Sequence, residues 1–344
     1  MNKKFLKLAK LSLVLVYLVI IAGAVVRMTG SGMGCPDWPK CFGYYIPPTN
    51  AETLQWQPNK AFEKGQVIMY EEGLQVAQND FTTTETFKIN NWQPYTKHDY
   101  AKFNVWHTWI EYINRLLGAL AGLATLVLAF LSLKYWSTNK RFTIISWLIL
   151  FGMGFQAWLG ATVVYSVLEP VKITIHMLMA LVIVAFLLYL IYISNKNKST
   201  FVPNKRTKLL FVLALTFTLI QIALGTQVRQ FIDEQIGMVG ETSKNLWLAN
   251  PTLKFYVHRS LSIAVLVLNF YLFWNIRKKK MPFKKIDWVI TLLFLEIGTG
   301  ILMYYFDFPF ASQPLHLVLA SILFGIQFYL FLEAFNKSKS HKSL

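Results

Sequence analysis

Polar residues that recur at the starts of apolar helices carry the chemistry of this sequence. His258 opens one apolar stretch in the second half of the chain, and His316 opens another. Asn114 and His176 occupy the corresponding places in the first half. Ionisable residues are costly in membrane helices and usually serve a ligand, an ion or a redox group there. The repetition predicts two related pockets, and the exchange of histidine for asparagine predicts that their functions differ.

The histidine pair of the second half suits a haem. Two histidines at one depth on separate helices can supply both axial ligands, as His258 and His316 would. A tetrahedral metal site would need three or four ligands instead. A lone membrane histidine more often makes an interhelical hydrogen bond, so the prediction depends on the pair. In the first half, His176 is the remaining candidate for binding iron.

A carboxylate distinguishes the first half. Glu111 lies one turn before Asn114 and Arg115 on the same helix face, where the second half has Phe255. A carboxylate near hydrocarbon can serve as a proton acceptor near neutral pH. A plain ion pair with Arg115 is the alternative, and the two roles are compatible. His107 can replace the missing histidine ligand only if its helix begins early or the preceding loop folds inward.

Arginines flank the same layer. Arg27 and Arg229 are predicted to close the first and fifth helices, and Arg259 directly follows His258. Haem propionates need positive partners, and the donor fork of arginine suits them. Arg229 and Arg259 are therefore propionate candidates, whereas Arg27 would belong to the first-half site. Snorkelling to lipid headgroups is the alternative for Arg229 and Arg259, and Arg259 could also pair locally.

Eight apolar stretches must position these residues, and each is long enough to cross a bilayer, which takes about 20 residues. They are 8–28, 108–133, 142–165, 172–194, 209–228, 253–275, 286–306 and 314–335. Only 15% of the residues are charged, compared with about 25% in a soluble protein. The first stretch is interpreted as a membrane helix, because it lacks the cleavage site of a signal peptide.

The net charge of +17 reflects membrane topology rather than nucleic-acid binding. Basic residues concentrate at the two ends of the chain and in alternate connections, including Lys134, Lys196, Lys198, Arg277, Lys337, Lys339 and Lys342. The positive-inside rule predicts that these segments are cytoplasmic, together with both termini. The histidine layer then lies toward the outer leaflet, and the lipid bilayer is the expected partner of the basic residues.

The two halves are predicted to be tandem copies. Gly23 and Arg27 recur as Gly225 and Arg229, and Gly160 and His176 recur as Gly300 and His316, each set at a constant spacing. Parallel repeats related by an axis along the membrane normal are a known membrane architecture. We therefore expect an all-α integral membrane protein with two pseudo-symmetric four-helix bundles, 1–194 and 195–344.

The first outer connection, 29–106, is much longer than the others. Its Asn, Thr and Trp content suggests a folded cap over the polar layer, and a disordered insertion is the alternative. Cys35 and Cys41 lie in it and can form a disulfide in an oxidising compartment. A structural staple and a redox pair that exchanges with a thiol partner both remain open, although the spacing is not that of a C-x-x-C motif.

Two motifs resemble those of the haem A synthases. The segment Ala22–Gly43, AGAVVRMTGSGMGCPDWPKCFG, is similar to the signature of that family, and Glu111-Tyr-Ile-Asn-Arg115 resembles its Glu-Tyr-x-His-Arg. The resemblance extends over the whole chain. It implies an oxidoreductase of the cell membrane that converts the C8 methyl group of haem O into the formyl group of haem A. Haem O would bind in the N-terminal half, and a cofactor haem b in the C-terminal half.

The resemblance also assigns roles. His258 and His316 would ligate haem b, His176 would face the substrate haem, and Glu111 would be the essential carboxylate. Cys35 and Cys41 would be the pair of the cysteine-containing branch. Haem O synthase and the terminal oxidase that receives haem A are the implied protein partners.

Asn114 departs from the family pattern, which has histidine at this position. We expect the N-terminal haem to be five-coordinate or ligated by His107. Two other functions compete with the synthase: a membrane b-type cytochrome for electron transfer, and a haem carrier or exporter without chemistry. Asn114 argues against the first, because a relay favours six-coordinate sites. Glu111, present in one half alone, argues against the second.

Overall fold

The computed structural model describes residues 3–71, 73–95, 103–165, 170–195 and 201–336. The predicted outer turn at 166–171 lies mostly outside these ranges. The same is true of the basic residues Lys196, Lys198, Lys337, Lys339 and Lys342. Their predicted cytoplasmic location stays a prediction.

The described residues contain eight helices that are long and apolar enough to cross a membrane. They are α1 Lys3–Met28, α2 Val105–Ser132, α3 Lys140–Tyr165, α4 Pro170–Ser194, α5 Lys205–Val239, α6 Leu253–Lys278, α7 Ile286–Tyr305 and α8 Ser312–Ala334. Helices satisfy every backbone hydrogen bond internally, as hydrocarbon requires. The predicted multi-pass helical membrane fold is confirmed.

Helix α5 is longer than the sequence analysis allowed. Arg229 was predicted to close it and 229–252 to be a loop, but the helix continues to Val239. The prediction was wrong because this segment is amphipathic: its polar residues are interspersed with apolar residues that share one face of the helix. Val228 and Ile232 on that face pack with Trp247 and Phe308 in a separate cluster. Burial of this face stabilises the additional turns of helix.

The helices enclose two apolar cores. One lies among α1–α4, where Ile149 is fully buried, and the other lies among α5–α8, where Val289 is fully buried. A smaller cluster joins α4, α5 and α8, and its buried members are Leu181, Ile222 and Phe324. Separate cores are what two four-helix units require. The assignment of a different function to each unit stays a prediction.

Residues 29–71 and 73–95 of the long outer connection form a folded cap rather than a disordered insertion. Its strands are β1 Ala61–Phe62, β2 Val67–Tyr70, β3 Gly73–Ala77, β4 Phe81–Thr82 and β5 Trp92–Pro94. Strands β1 and β4 pair antiparallel, and the second sheet has the order β2-β3-β5. Trp92 packs edge-to-face on Phe62 with ring centroids 5.0 Å apart. These short strands are additions to the helical fold.

The predicted disulfide between Cys35 and Cys41 is formed. Neither cysteine is more than 1% exposed, and both pack with Phe42 and Leu54 in the core of the cap. A thiol partner reaches exposed sulfurs more readily than buried ones. The burial therefore favours the structural staple over the exchanging pair.

Candidate active site

Four glycines face the four recurring polar positions, each from the preceding helix. A Cβ atom on the glycine would lie 3.9 Å from Asn114 Oδ1 (Gly23), 3.5 Å from His176 Cε1 (Gly160), 3.2 Å from His258 Cε1 (Gly225) and 3.9 Å from His316 Cε1 (Gly300). The absence of a side chain on each glycine leaves space for the ring or amide opposite. The glycines and polar residues that recur in the sequence are therefore in contact in space.

The imidazole rings of His258 and His316 face each other. Their centroids lie 6.4 Å apart, and the ring planes are inclined by 74°. A metal–imidazole bond is about 2.0 Å long, and the ring centroid lies about 1.1 Å behind the bonding nitrogen, so two axial imidazoles on one iron would have centroids roughly 6.3 Å apart. The residues present therefore fit a haem iron between them.

Each histidine of this pair is held by the helix before it. Gln221 on α5 donates through Nε2 to the carbonyl oxygen of His258 over 2.8 Å. Thr299 Oγ1 on α7 lies 2.8 Å from Nδ1 of His316. Glu296 Oε2, one turn earlier, lies 3.1 Å from the same nitrogen. The ring of His316 is thus fixed through Nδ1, and its Nε2 is left for a metal.

Glu111 lies buried at the centre of the first-half site, 3% exposed. One carboxylate oxygen forms an ion pair with Arg115, as the alternative interpretation required. The other, Oε2, accepts the backbone N–H of Cys35 over 2.8 Å. The carboxylate is therefore oriented by a cation of its own helix and by the disulfide loop above it.

The disulfide loop is clamped onto the start of α2. Thr108 Oγ1 donates to the carbonyl oxygen of Gly34 over 2.8 Å. Arg115 Nη1 donates to the carbonyl oxygens of Asp37 and Lys40, over 2.7 and 2.9 Å. A Cβ on Gly34 would lie 2.5 Å from the carbonyl oxygen of His107, so no other residue fits this approach. The arginine therefore binds both the carboxylate and the loop that covers it.

Asp37 fixes the far side of this loop. Its carboxylate accepts the backbone N–H groups of Phe42 and Gly43 over 2.6 and 2.8 Å. Burial raises the pKa of Asp37 above that of an ordinary aspartate, and the two amides and the charge of Arg115 offset part of this increase. These hydrogen bonds hold the loop beside Cys41, as the bond from Thr108 holds it beside Cys35.

Two further first-half candidates are His176 on α4 and His107 on α2. Nδ1 of His176 is buried and has no hydrogen-bond partner among the residues described, and its carbonyl oxygen accepts from Gln156 over 3.0 Å. Helix α2 begins at Val105, capped by Asn104, so His107 is helical, as its candidate role requires. Its ligation of a haem stays a prediction.

The arginines of the two halves meet at one carboxylate. Arg27 donates from Nε and Nη2 to Oδ2 of Asp233, over 3.1 and 2.7 Å. Arg229 Nη2 lies 2.7 Å from the other oxygen, Oδ1. Nη1 of Arg229 is buried without a partner in the described part of the chain. Arg259 stands apart, with its guanidinium 5.4 Å from the ring centroid of Tyr304.

Comparison with known proteins connects this geometry to a family. The model of the COX15-CtaA family, described as cytochrome oxidase assembly protein, matches residues 7–328. The chain belongs to this family. Three similar proteins are named heme A synthase: those of Ehrlichia canis (26% identical, covering 92% of this chain and 88% of the relative), Rickettsia prowazekii (26%, 92% and 93%) and Flavobacterium johnsoniae (25%, 92% and 93%).

The structure adds residues that the sequence analysis of this COX15-CtaA member missed. Glu296 was overlooked, although a carboxylate inside a membrane helix is a functional candidate by default. Thr299 carried no comparable signal, because its partner His316 lies on another helix. Asp233 follows Arg229 at i+4, but its contact with Arg27 of α1 could not be read from the spacing. Asp37 and Thr108 act through backbone groups of the loop, which no spacing rule reveals.

Proposed function

We propose that this chain oxidises the C8 methyl group of haem O to the formyl group of haem A. The observation that carries the proposal is that the two halves share the same glycine contacts but differ in their polar residues. Each half has two of these contacts. One half presents two facing histidines, whereas the other presents His176 and a buried carboxylate, Glu111. Family membership and the names of the relatives support the same activity.

In this proposal, the C-terminal half holds a resident haem b. His258 and His316 would hold it through their imidazole nitrogens, which the 6.4 Å separation of their ring centroids supports. When bound, this haem supplies one-electron transfer, so that electrons withdrawn from the substrate can leave the site. The residues themselves bind and orient the group and keep it apart from the substrate.

The N-terminal half is the proposed substrate site. His176 would bind the iron of haem O, and Asn114 offers only a weak amide in place of a second histidine. One strong ligand allows a substrate to enter and leave more readily than two. Glu111 would accept protons released from the methyl group, while Arg115 and the Cys35 amide hold its carboxylate in one orientation.

Arginines are the proposed partners of the propionates. Nη1 of Arg229 has no partner among the described residues, and this supports binding of a carboxylate there, since a buried guanidinium donor gains from a charged acceptor. Arg259 is the second candidate for the cofactor haem, and Arg27 with Arg115 would serve the substrate haem. Asp233 keeps Arg27 and Arg229 extended toward the same outer layer.

The proposal places both haem sites toward the outer leaflet of the plasma membrane. It includes haem O synthase as the source of substrate and a terminal oxidase as the recipient of product. The burial of Cys35 and Cys41 supports a structural role for the disulfide, and exchange with a thiol partner would require the loop to open.

One assay separates synthase, electron carrier and exporter. The chain is expressed with a supply of haem O, and the haems are extracted and separated. Haem A is expected from the wild type and is expected to be absent from Glu111→Ala, which should retain the haem bound by His258. Haem A formation undiminished in Glu111→Ala would remove the catalytic role of this carboxylate. Failure of the wild type to form haem A would favour a carrier of electrons or haem.

A further inference from the structure

The hydrogen bonds around His316 determine which ring nitrogen carries its proton. Thr299 Oγ1 lies 2.9 Å from the carbonyl oxygen of Glu296, its own residue i−3, and donates its single proton there. Toward Nδ1 of His316, 2.8 Å away, the hydroxyl can therefore only accept. With the hydroxyl proton assigned in this way, Nδ1 carries the ring hydrogen, and Nε2 presents its lone pair to a metal.

A second acceptor faces the same N–H. Oε2 of Glu296 lies 3.1 Å from Nδ1 of His316, and the glutamate side chain is only 13% exposed. The imidazole N–H is thus shared between a hydroxyl and a carboxyl oxygen, both on α7. Metal-bound histidines commonly donate their second N–H to such an acceptor, which fixes the ring and makes its other nitrogen a stronger donor.

The equivalent histidine of the first half lacks both groups. When His176 is aligned with His316, Gln156 occupies the place of Glu296 and Leu159 the place of Thr299. Gln156 donates to the carbonyl oxygen of His176 instead of accepting from its ring. Nδ1 of His176 has no hydrogen-bond partner within the described ranges. The acceptor pair is therefore a feature of one copy.

We propose that Glu296 and Thr299 are positioning residues that make His316 a strongly donating, fixed axial ligand and so lower the reduction potential of the haem bound there. The inference rests on the proposed function, because it takes His316 to be an axial ligand. Acceptors on Nδ1–H increase electron donation to iron and stabilise its oxidised form. The haem of the C-terminal half is held, whereas His176, without acceptors, suits a substrate that must exchange.

The test uses the purified full-length protein with its haem. Optical redox titration gives the midpoint potential, and electron paramagnetic resonance reports the axial ligands. Glu296→Gln and Thr299→Val should retain a low-spin bis-histidine haem with a more positive midpoint potential than the wild type. Thr299→Ser should restore the wild-type potential. Thr162→Val is the matched control, because this threonine also donates to its residue i−3 but lies on α3.

The possible results distinguish a failure of this inference from a failure of the proposed function. An unchanged potential in both Glu296→Gln and Thr299→Val, with haem bound, overturns the inference. If both variants lose haem, retention by Thr299→Ser supports the inference, and loss from Thr299→Ser as well overturns it. Low-spin haem that survives His316→Ala would instead refute the ligation on which the proposed function depends.

Discussion

The backbone N–H of Cys35 donates to Oε2 of Glu111 over 2.8 Å, across 76 positions of sequence. The disulfide loop therefore helps to orient the carboxylate that is proposed to accept protons. A hydrogen bond to a charged group contributes about 1.5–3 kcal/mol. The orientation of Glu111 therefore depends on the staple that keeps Cys35 in place.

Removal of this staple should impair the reaction without removing the cofactor. In Cys35→Ala/Cys41→Ala, the amide is no longer fixed over Glu111, and haem A formation should fall roughly 10- to 100-fold. Haem b content should stay at the wild-type level. The measurement is haem extraction from matched membranes, with Thr53→Ala as a control in an exposed turn of the same cap. Full activity in the double variant would show that the disulfide is not needed to hold the Cys35 amide against the carboxylate.

Asn114→His should change the coordination of the N-terminal haem. The neighbouring Gly23 leaves space at this position, as Gly225 does for His258. A second imidazole would convert a five-coordinate haem into a six-coordinate low-spin one, and slower exchange of substrate should reduce turnover. Optical and electron paramagnetic resonance spectra of the haem O-loaded protein report the change. Spectra identical to the wild type would contradict the assigned place of Asn114 beside the iron.

The glycine contacts predict a graded effect of alanine. At Gly225, a Cβ would lie 3.2 Å from His258, tighter than most real contacts, whereas at Gly300 it would lie an ordinary 3.9 Å from His316. Crowding of this kind costs about 1–3 kcal/mol. Gly225→Ala should therefore retain haem b about tenfold less tightly, measured by transfer to apomyoglobin. Gly300→Ala is the matched control, and equal losses from both variants would contradict the argument.

Arg229→Gln should weaken haem retention through its propionates. Nη1 of Arg229, which lacks a partner in the described ranges, is the proposed donor, and loss of one charge-assisted hydrogen bond should weaken binding about tenfold or more. Arg277→Gln provides the control, because Arg277 forms an ion pair with Asp287 on the predicted cytoplasmic side. Haem content per polypeptide is the readout. Similar haem content in the two variants would mean that Arg229 serves the structure alone.

The sequence predicted the features that a bilayer imposes on each separate segment, namely the length of the apolar helices and the rarity of polar residues in them. A bilayer demands about 20 apolar residues per crossing, so all eight helices could be located, although the end of α5 was placed too early. Histidines in such stretches are conspicuous because they are costly, and repetition identified the pair His258 and His316. The cysteine pair was equally visible, since both residues lie close together in one outer loop.

Contacts between distant segments could not be predicted in this way. The cap folds through short strands whose pairing depends on tertiary packing, and the Cys35–Glu111 bond joins it to α2. The outer turns of α5 contain charged residues, so the hydropathy pattern ended too early. Glu296 was visible in the sequence, but its meaning depends on its distance from His316, which only the fold provides.

The carboxylate shared by Arg27 and Arg229 breaks the equivalence of the two copies. When these arginines are aligned, the residue of the first copy that corresponds to Asp233 is Ser31, which is uncharged. Two first halves joined with this geometry would bring two guanidinium groups together without the carboxylate that links them here. The junction therefore suits an unlike pair of halves, with the counter-charge contributed by α5.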